Sequence, residues 1–165
     1  LRRSSAASDV YKRQVLGYQS DKVADVIKDL NINLILNPLW KDGQASSLKA
    51  ALNSLTSSYS DLLIMLGDLP GIKSGHINRI IEEHLSSENR RSKITIPSFK
   101  GEKGNPVIWG RSFFHDLSNL EGDVGGRALF GQHPAAINLI EMDDPSVVTD
   151  TDTPEDFDSF IANRA

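Results

Sequence analysis

Residues 62–72 read LLIMLGDLPGI, and this stretch decides the class of fold. Leu62 to Leu66 is continuously apolar, the pattern of a strand buried on both sides of a parallel sheet. It closes on Gly67-Asp68-Leu69-Pro70, a turn signal where such a strand ends. Beyond the turn, Ser74 starts a helix with Ile77, Ile80, Ile81 and Leu85 facing inward, while His76 and His84 read as its polar flank. On the N-terminal side, Val15-Leu16-Gly17 reads as the end of a strand and its turn. Ser20 caps a helix carrying Val23, Val26, Ile27 and Leu30, and Leu34 to Leu36 is a short strand broken by Asn37-Pro38. Ser46 or Ser47 can cap a second helix with Leu48, Ala51, Leu52 and Leu55 on one face. Toward the C-terminus, Lys93 to Pro97 alternates like a strand, and the loop Phe99 to Gly104 leads to another at Val107 to Trp109. A short helix with Phe113, Phe114 and Leu117 follows, then a turn-rich segment, Gly122 to Gly126, ahead of a predicted helix over Arg127 to Gly131. Ile137 to Met142 is a strand candidate. Thr153 caps a last helix with Pro154 at its first position and Phe157, Phe160 and Ile161 inward. This alternation predicts one α/β domain with a mostly parallel sheet, helices on both faces and right-handed crossovers.

Composition narrows the function. The chain has 165 residues, 39% hydrophobic and 24% charged, as in a globular domain rather than a disordered one. Its formal charge of -4 argues against a general nucleic-acid binder. With no cysteine, a disulfide scaffold, a thiolate metal site and a cysteine nucleophile are excluded. The apolar run Leu62 to Leu66 is far below the roughly 20 residues of a membrane helix. The basic opening LRRSSAASDVYKRQ has no apolar segment after it, so it does not read as a secretion signal, and a cytoplasmic protein is expected. Ser4 to Gln14 (SSAASDVYKRQ) looks instead like a translated sequencing adapter, so residues 1–14 are expected to be a non-native tail and 15–165 the domain. Without the tail, which holds four basic residues and one acid, 14 basic and 21 acidic residues remain, a formal charge of -7.

Three groups of residues could carry chemistry. Ligands of open α/β sheets bind outside the carboxyl ends of the strands. Asp68 sits at such an end, a position suited to a hard cation such as Mg²⁺, although a plain turn would also use it. In DTDTPED (150–156), helix capping accounts for Thr153, Glu155 and Asp156 but less well for Asp150 and Asp152, which precede the cap. GDVGGR (122–127) sets glycines around Asp123 and ends in Arg127, a cation able to hold a phosphate with two bonds; GEKGNPV (101–107) places Asn105 before Pro106. Either segment could be an ordinary loop. The four histidines show no metal-ligand spacing, and no Ser/His/Asp arrangement is legible.

Taken together, NPLWKDGQASSLKAAL (37–52), LIMLGDLPGI (63–72), KGNPV (103–107), LEGDVGGRAL (120–129) and DTDTPEDF (150–157) resemble the molybdenum cofactor cytidylyltransferase family, within the wider group of MobA-like nucleotidyltransferases. The resemblance runs from Val15 to the end. It implies a Rossmann-like nucleotidyltransferase fold and transfer of a nucleoside monophosphate from an NTP to a phosphorylated acceptor, with release of pyrophosphate. In the cytidylyltransferase branch these are CTP and molybdenum-molybdopterin. By resemblance, Asp68 would be a Mg²⁺ ligand and catalytic residue, with Asp152 as a second acid near the metal and Asp150 the lesser choice. Ser47 would lie near the base or ribose, and Asn105, Asp123 and Arg127 on the acceptor side.

The chain departs from the family at its start. The family opens with a strand and a Gly-rich loop of the form LAAGxSxRMGxxK, which cradles the triphosphate, and nothing before Val15 resembles it. The first strand and this loop are therefore expected to be missing, the 165-residue chain inactive by itself, and apolar sheet edges exposed. Two other readings remain: a guanylyltransferase or sugar-phosphate nucleotidyltransferase, and a non-catalytic nucleotide-binding module.

Overall fold

A computed structural model of the chain describes residues 11–55, 58–151 and 153–162. Its elements in chain order are β1 (Arg13–Leu16), α1 (Ser20–Ile27), β2 (Asn33–Leu36), α2 (Gln44–Asn53), β3 (Asp61–Ile64), α3 (Ser74–Ser86), β4 (Ile94–Phe99), β5 (Glu102–Lys103), β6 (Val107–Gly110), α4 (Phe114–Ser118), β7 (Ile137–Glu141) and α5 (Pro154–Ala162). They form two compact units. One runs up to Tyr59 and adds Ser112–Pro134; the other comprises Ser60–Arg111 and the chain from Ala135.

In the first unit β1 and β2 pair in parallel, Arg13 opposite Asn33 through Leu16 opposite Leu36. β1 begins at Arg13, so its first two residues belong to the string 4–14. The α1 crossover starts one residue after Gln19, which adopts a left-handed φ of 51°. None of the α1 residues is buried. Leu16, Ala45, Leu117, Leu129 and Phe130 are buried in this unit, and α2 packs on α4. The helix predicted over Arg127 to Gly131 is only a 3₁₀ turn, Gly126–Leu129. A segment this short, bounded by glycines, cannot recover the cost of helix nucleation.

The second unit is built on a five-stranded sheet with β3, β6, β4 and β5 in that order and β7 also on β4. β4 and β7 are parallel, Ile94 opposite Ile137 through Ser98 opposite Glu141; β3/β6, β4/β6 and β4/β5 are antiparallel. The α/β architecture expected from the sequence is present, but the sheets are mixed rather than mostly parallel. For β4/β5 the cause is local: Lys100 (φ 51°) and Gly101 (φ 84°) turn the chain tightly between them, and a connection that short permits only antiparallel pairing. β3 is half-buried at all four positions, because it stands at the end of the sheet with β6 as its paired neighbour among the described residues. Ile80, Ile108, Ile140, Met142 and Val147 form the buried core, with Leu63, Ile72 and Ile81 packed against it.

Two helix faces differ from expectation. In α3, Ile80 and His84 are buried and Leu85 is 46% exposed, so the inward stripe is Ile77, Ile80, Ile81, His84. In α5, Phe157 and Ile161 are about half exposed rather than inward (49% and 52%). The start of α5 is as read: Asp156 N–H donates to Thr153 Oγ1 at 3.1 Å and Thr153 N–H to Asp156 Oδ2 at 2.9 Å, a reciprocal cap.

Candidate functional site

The second unit holds Asp68 just after β3. Its Oδ1 is buried and has no hydrogen-bond partner among the described residues. A buried carboxylate oxygen left unpaired is costly, and native folds seldom carry one without a bound ion or water to explain it. Its backbone, by contrast, is firmly held. The Asp68 carbonyl accepts from both Thr151 N–H (2.9 Å) and Thr151 Oγ1 (3.0 Å). Asp152 follows Thr151 in the chain and lies outside the described residues; Asp150 is exposed. Among the described residues no group of three or more His, Asp or Glu side chains is arranged around a metal position. A single carboxylate with one buried, unpartnered oxygen suits Mg²⁺, which keeps waters and takes most of its remaining ligands from substrate phosphates.

Asn105 joins the same loop system. Its N–H donates to Val147 O at 2.7 Å, and the bond from Asn105 to Pro106 is cis. A Cβ on Gly104 would overlap the Val147 carbonyl, so only glycine lets the two segments approach there. Val147 ends a 3₁₀ turn, Pro145–Val147, whose cap is Asp144. Asp144 Oδ1 accepts from Ser146 N–H at 2.8 Å, and its Oδ2 lies 3.4 Å from both Lys73 Nζ and His76 Nε2. Hydrogen bonds from the Ser146 hydroxyl and N–H, with smaller contributions from Lys73 and His76, hold the Asp144 carboxyl down at about 2. Glu141, in the same unit, accepts from Ser98 Oγ and Lys100 N–H, both at 2.7 Å, and these bonds lower its pKa.

The Asp144 network makes a pH prediction. Its folded pKa is depressed from 3.8 to about 2, so its stabilisation is complete above about pH 4 and fades as pH falls toward 2. Asp144→Asn should therefore melt below wild type at neutral pH, and the gap between the two melting temperatures should close between about pH 4 and pH 2. Thermal unfolding of both proteins across that range checks it; a constant gap would count against the network.

In the first unit, Ser47 lies in the first half of α2, which begins earlier than read: Gly43 is its cap, with φ 94°, and Ser46 and Ser47 are inside the helix. The loop 122–123 supplies the acceptors that capping serines would have offered. Asp123 Oδ1 accepts from Gln44 N–H at 3.1 Å, and Gly122 O from Ala45 N–H at 3.2 Å. Asp123 is thus brought to the helix start that carries Ser47, and Arg127 follows in the exposed 3₁₀ turn of the same loop. Asn37, which the sequence marks only as a strand breaker, is a fixed polar group of this unit. It is 3% exposed, its amide donates to Ser46 Oγ (2.8 Å) and Ser47 Oγ (3.1 Å), and its Oδ1 accepts from Leu39 N–H. The Asn-Pro breaker was the available signal. Beside it lies a cavity of about 470 Å³ lined by Asn37, Ala45, Ser46, Lys49, Asn53 and Glu121 among others, within the size range of small-molecule sites.

The candidates therefore form two groups. Asp68 and Asn105 belong to the second unit and share the 144–151 segment; Ser47, Asp123 and Arg127 belong to the first and share the start of α2 and its capping loop. Among the described residues no helix is long and apolar enough to cross a membrane.

The profile of the MobA-like NTP transferase domain matches residues 3–137. The purine catabolism protein PucB of Bacillus subtilis (strain 168) is 29% identical over 119 residues, covering 70% of this chain and 55% of PucB. The bifunctional protein GlmU of Prochlorococcus marinus (strain MIT 9211) is 24% identical over 107 residues, covering 65% of this chain and 22% of GlmU. The chain thus spans about half of one curated relative and about a fifth of the other. A manganese complex of Rv0371c from Mycobacterium tuberculosis H37Rv has the same fold, with a TM-score of 0.74 at 20% identity over 92% of this chain and 78% of that one. Matched by that profile over well more than half of its length, and folded as an α/β nucleotidyltransferase, the chain belongs to the MobA-like NTP transferase domain family.

Proposed function

We propose that this chain carries the metal-side and nucleoside-side residues of a nucleotidyltransferase that moves CMP from CTP to the terminal phosphate of molybdenum-molybdopterin. One observation carries the metal half of the reading: the buried, unpartnered Oδ1 of Asp68 on a backbone fixed by Thr151. The manganese bound in the structurally similar mycobacterial protein supports a divalent ion here. The choice of CTP and a pterin acceptor rests on the motif set SSLKAAL, GNPV and GDVGGRAL.

In this reaction an acceptor phosphate oxygen attacks the α-phosphorus of CTP. A new P–O–P bond joins CMP to the acceptor, the bond to the β-phosphate bridging oxygen breaks, and pyrophosphate leaves with that electron pair. The nucleophile is already an anion, so positioning and charge neutralisation suffice, without a strong base. Asp68 and Asp152 would hold Mg²⁺, which when bound withdraws charge from the phosphate oxygens. Ser47, fixed by the Asn37 amide, would sit by the base or ribose. Arg127 would grip the acceptor's phosphate, with Asn105 and Asp123 orienting the acceptor.

Calorimetric titration with CTP and with GTP, each with and without Mg²⁺, of the chain preceded by a Gly-rich triphosphate loop tests this. The expected result is CTP binding at least about tenfold tighter than GTP binding, lost when EDTA removes the metal. A preference for GTP would replace the cytidylyl reading with a guanylyl one, and metal-independent binding would contradict the role given to Asp68.

A further inference from the structure

We propose that Thr151 is a positioning residue for the Asp68 metal site, an inference that rests on the nucleotidyltransferase reading above. The motif around it is occupied by acids and a helix cap, and nothing in that pattern marks position 151. The structure singles it out by what its side chain reaches. Thr151 Oγ1 donates to the Asp68 carbonyl at 3.0 Å, across 83 residues of sequence, and its own N–H donates to the same oxygen at 2.9 Å. A carbonyl oxygen has two lone pairs, so both bonds are satisfied together. Thr149, two residues earlier, shows the contrast: its hydroxyl turns back to Pro145 O inside its own loop.

The other end of the segment is anchored too. Asp144 is held by Ser146 N–H and lies beside Lys73 and His76, Val147 O is taken by Asn105 N–H, and a Cβ on Gly71 would strike the Ser146 side chain. The segment 144–151 is therefore fixed near Asn105 and at Asp68, and Thr151 is its last fastening before Asp152. The two hydrogen bonds fix the main chain from which the Asp68 carboxylate, with its unpartnered Oδ1, projects. Removing the hydroxyl keeps the N–H bond and loosens that carboxylate. A metal ligand freed to rotate binds its ion less well.

The test titrates Mn²⁺ alone into wild type, Thr151→Val, Thr151→Ser and Asp68→Asn, following free Mn²⁺ by electron paramagnetic resonance, with metal-free melting temperatures in parallel. The expected result is Mn²⁺ binding about fivefold weaker in Thr151→Val, the weight of one neutral hydrogen bond. Thr151→Ser, which keeps the hydroxyl, should stay within about twofold of wild type, and Asp68→Asn should not bind. Equal affinity in wild type and Thr151→Val overturns the inference and leaves the metal site standing. Equal losses in the Val and Ser variants overturn it as well, since the hydroxyl would then not be the operative group. Failure of wild type to bind, or unchanged binding by Asp68→Asn, overturns the nucleotidyltransferase metal site itself.

Discussion

Asp68→Asn should abolish metal-dependent nucleotide binding while leaving the metal-free chain as stable as wild type or more so. Asn keeps the shape of the side chain and removes the charge. A carboxylate bound directly to Mg²⁺ contributes more than an outer partner, whose loss already costs about 10- to 100-fold, so the expected loss is at least about 100-fold. The stability half of the prediction follows from the unpartnered Oδ1. Without metal, a buried carboxylate oxygen left unpaired is a liability, and neutralising the group lowers that cost. Thermal melts with and without Mg²⁺ separate the two effects: Mg²⁺ should raise the melting temperature of wild type and leave Asp68→Asn unmoved. A variant that still responds to Mg²⁺ would place the ion elsewhere.

The largest expected loss of stability is at His84. Its ring is 1% exposed, with Nδ1 2.7 Å from Thr95 Oγ1 and Nε2 3.1 Å from Asp61 Oδ1. Asp61 accepts through its other oxygen from Ser60 Oγ (2.6 Å) and Arg90 Nε (3.2 Å). Burial alone would raise the Asp61 pKa, but the hydrogen bonds from Ser60, His84 and Arg90 outweigh it and lower the carboxyl. This fits a ring whose Nε2–H donates to Asp61 while the Thr95 hydroxyl donates to Nδ1. His84→Ala leaves a cavity, strips Thr95 of its partner and removes one donor from a half-buried carboxylate. The combined cost is about 3–5 kcal/mol. The neighbouring Leu85→Ala, at a half-exposed position, should cost under about 1 kcal/mol. Urea unfolding of the two variants decides it; comparable losses would mean that the network does not stabilise the second unit.

His84 also shows what was legible in the sequence and what was not. The spacing 77, 80, 81, 84 is the helical one, yet a histidine reads as polar and Leu85 as the next apolar residue, so only the last member of the stripe, His84 in place of Leu85, is illegible in the sequence. Only the partners Thr95 and Asp61, brought in by β4 and β3, make burial of the ring affordable. Strand and helix existence was readable because apolar runs such as Leu62 to Leu66 and caps such as Thr153 are local signals. Strand direction was not, since it depends on the tight turn at Lys100 and Gly101 for β4/β5 and on pairing between strands distant in sequence for β3/β6. The candidate site follows the same division. Asp68 and Asn105 stand out by their flanking Gly and Pro residues. The bonds that give them meaning, Thr151 to Asp68 and Asn105 to Val147, cross long stretches of sequence and leave no periodicity behind. Likewise, α2 is capped by Asp123 from a distant loop, so the serines inside it misled the reading of its start.

The central claim is that the unpaired carboxylate of Asp68 holds the divalent ion of a nucleotidyl-transfer site. Anomalous diffraction from a crystal of the chain grown with Mn²⁺ and CTP tests it most directly. The account predicts a manganese peak bonded to Asp68 Oδ1, with triphosphate oxygens completing its coordination; a crystal with bound CTP and no manganese at Asp68 would contradict it.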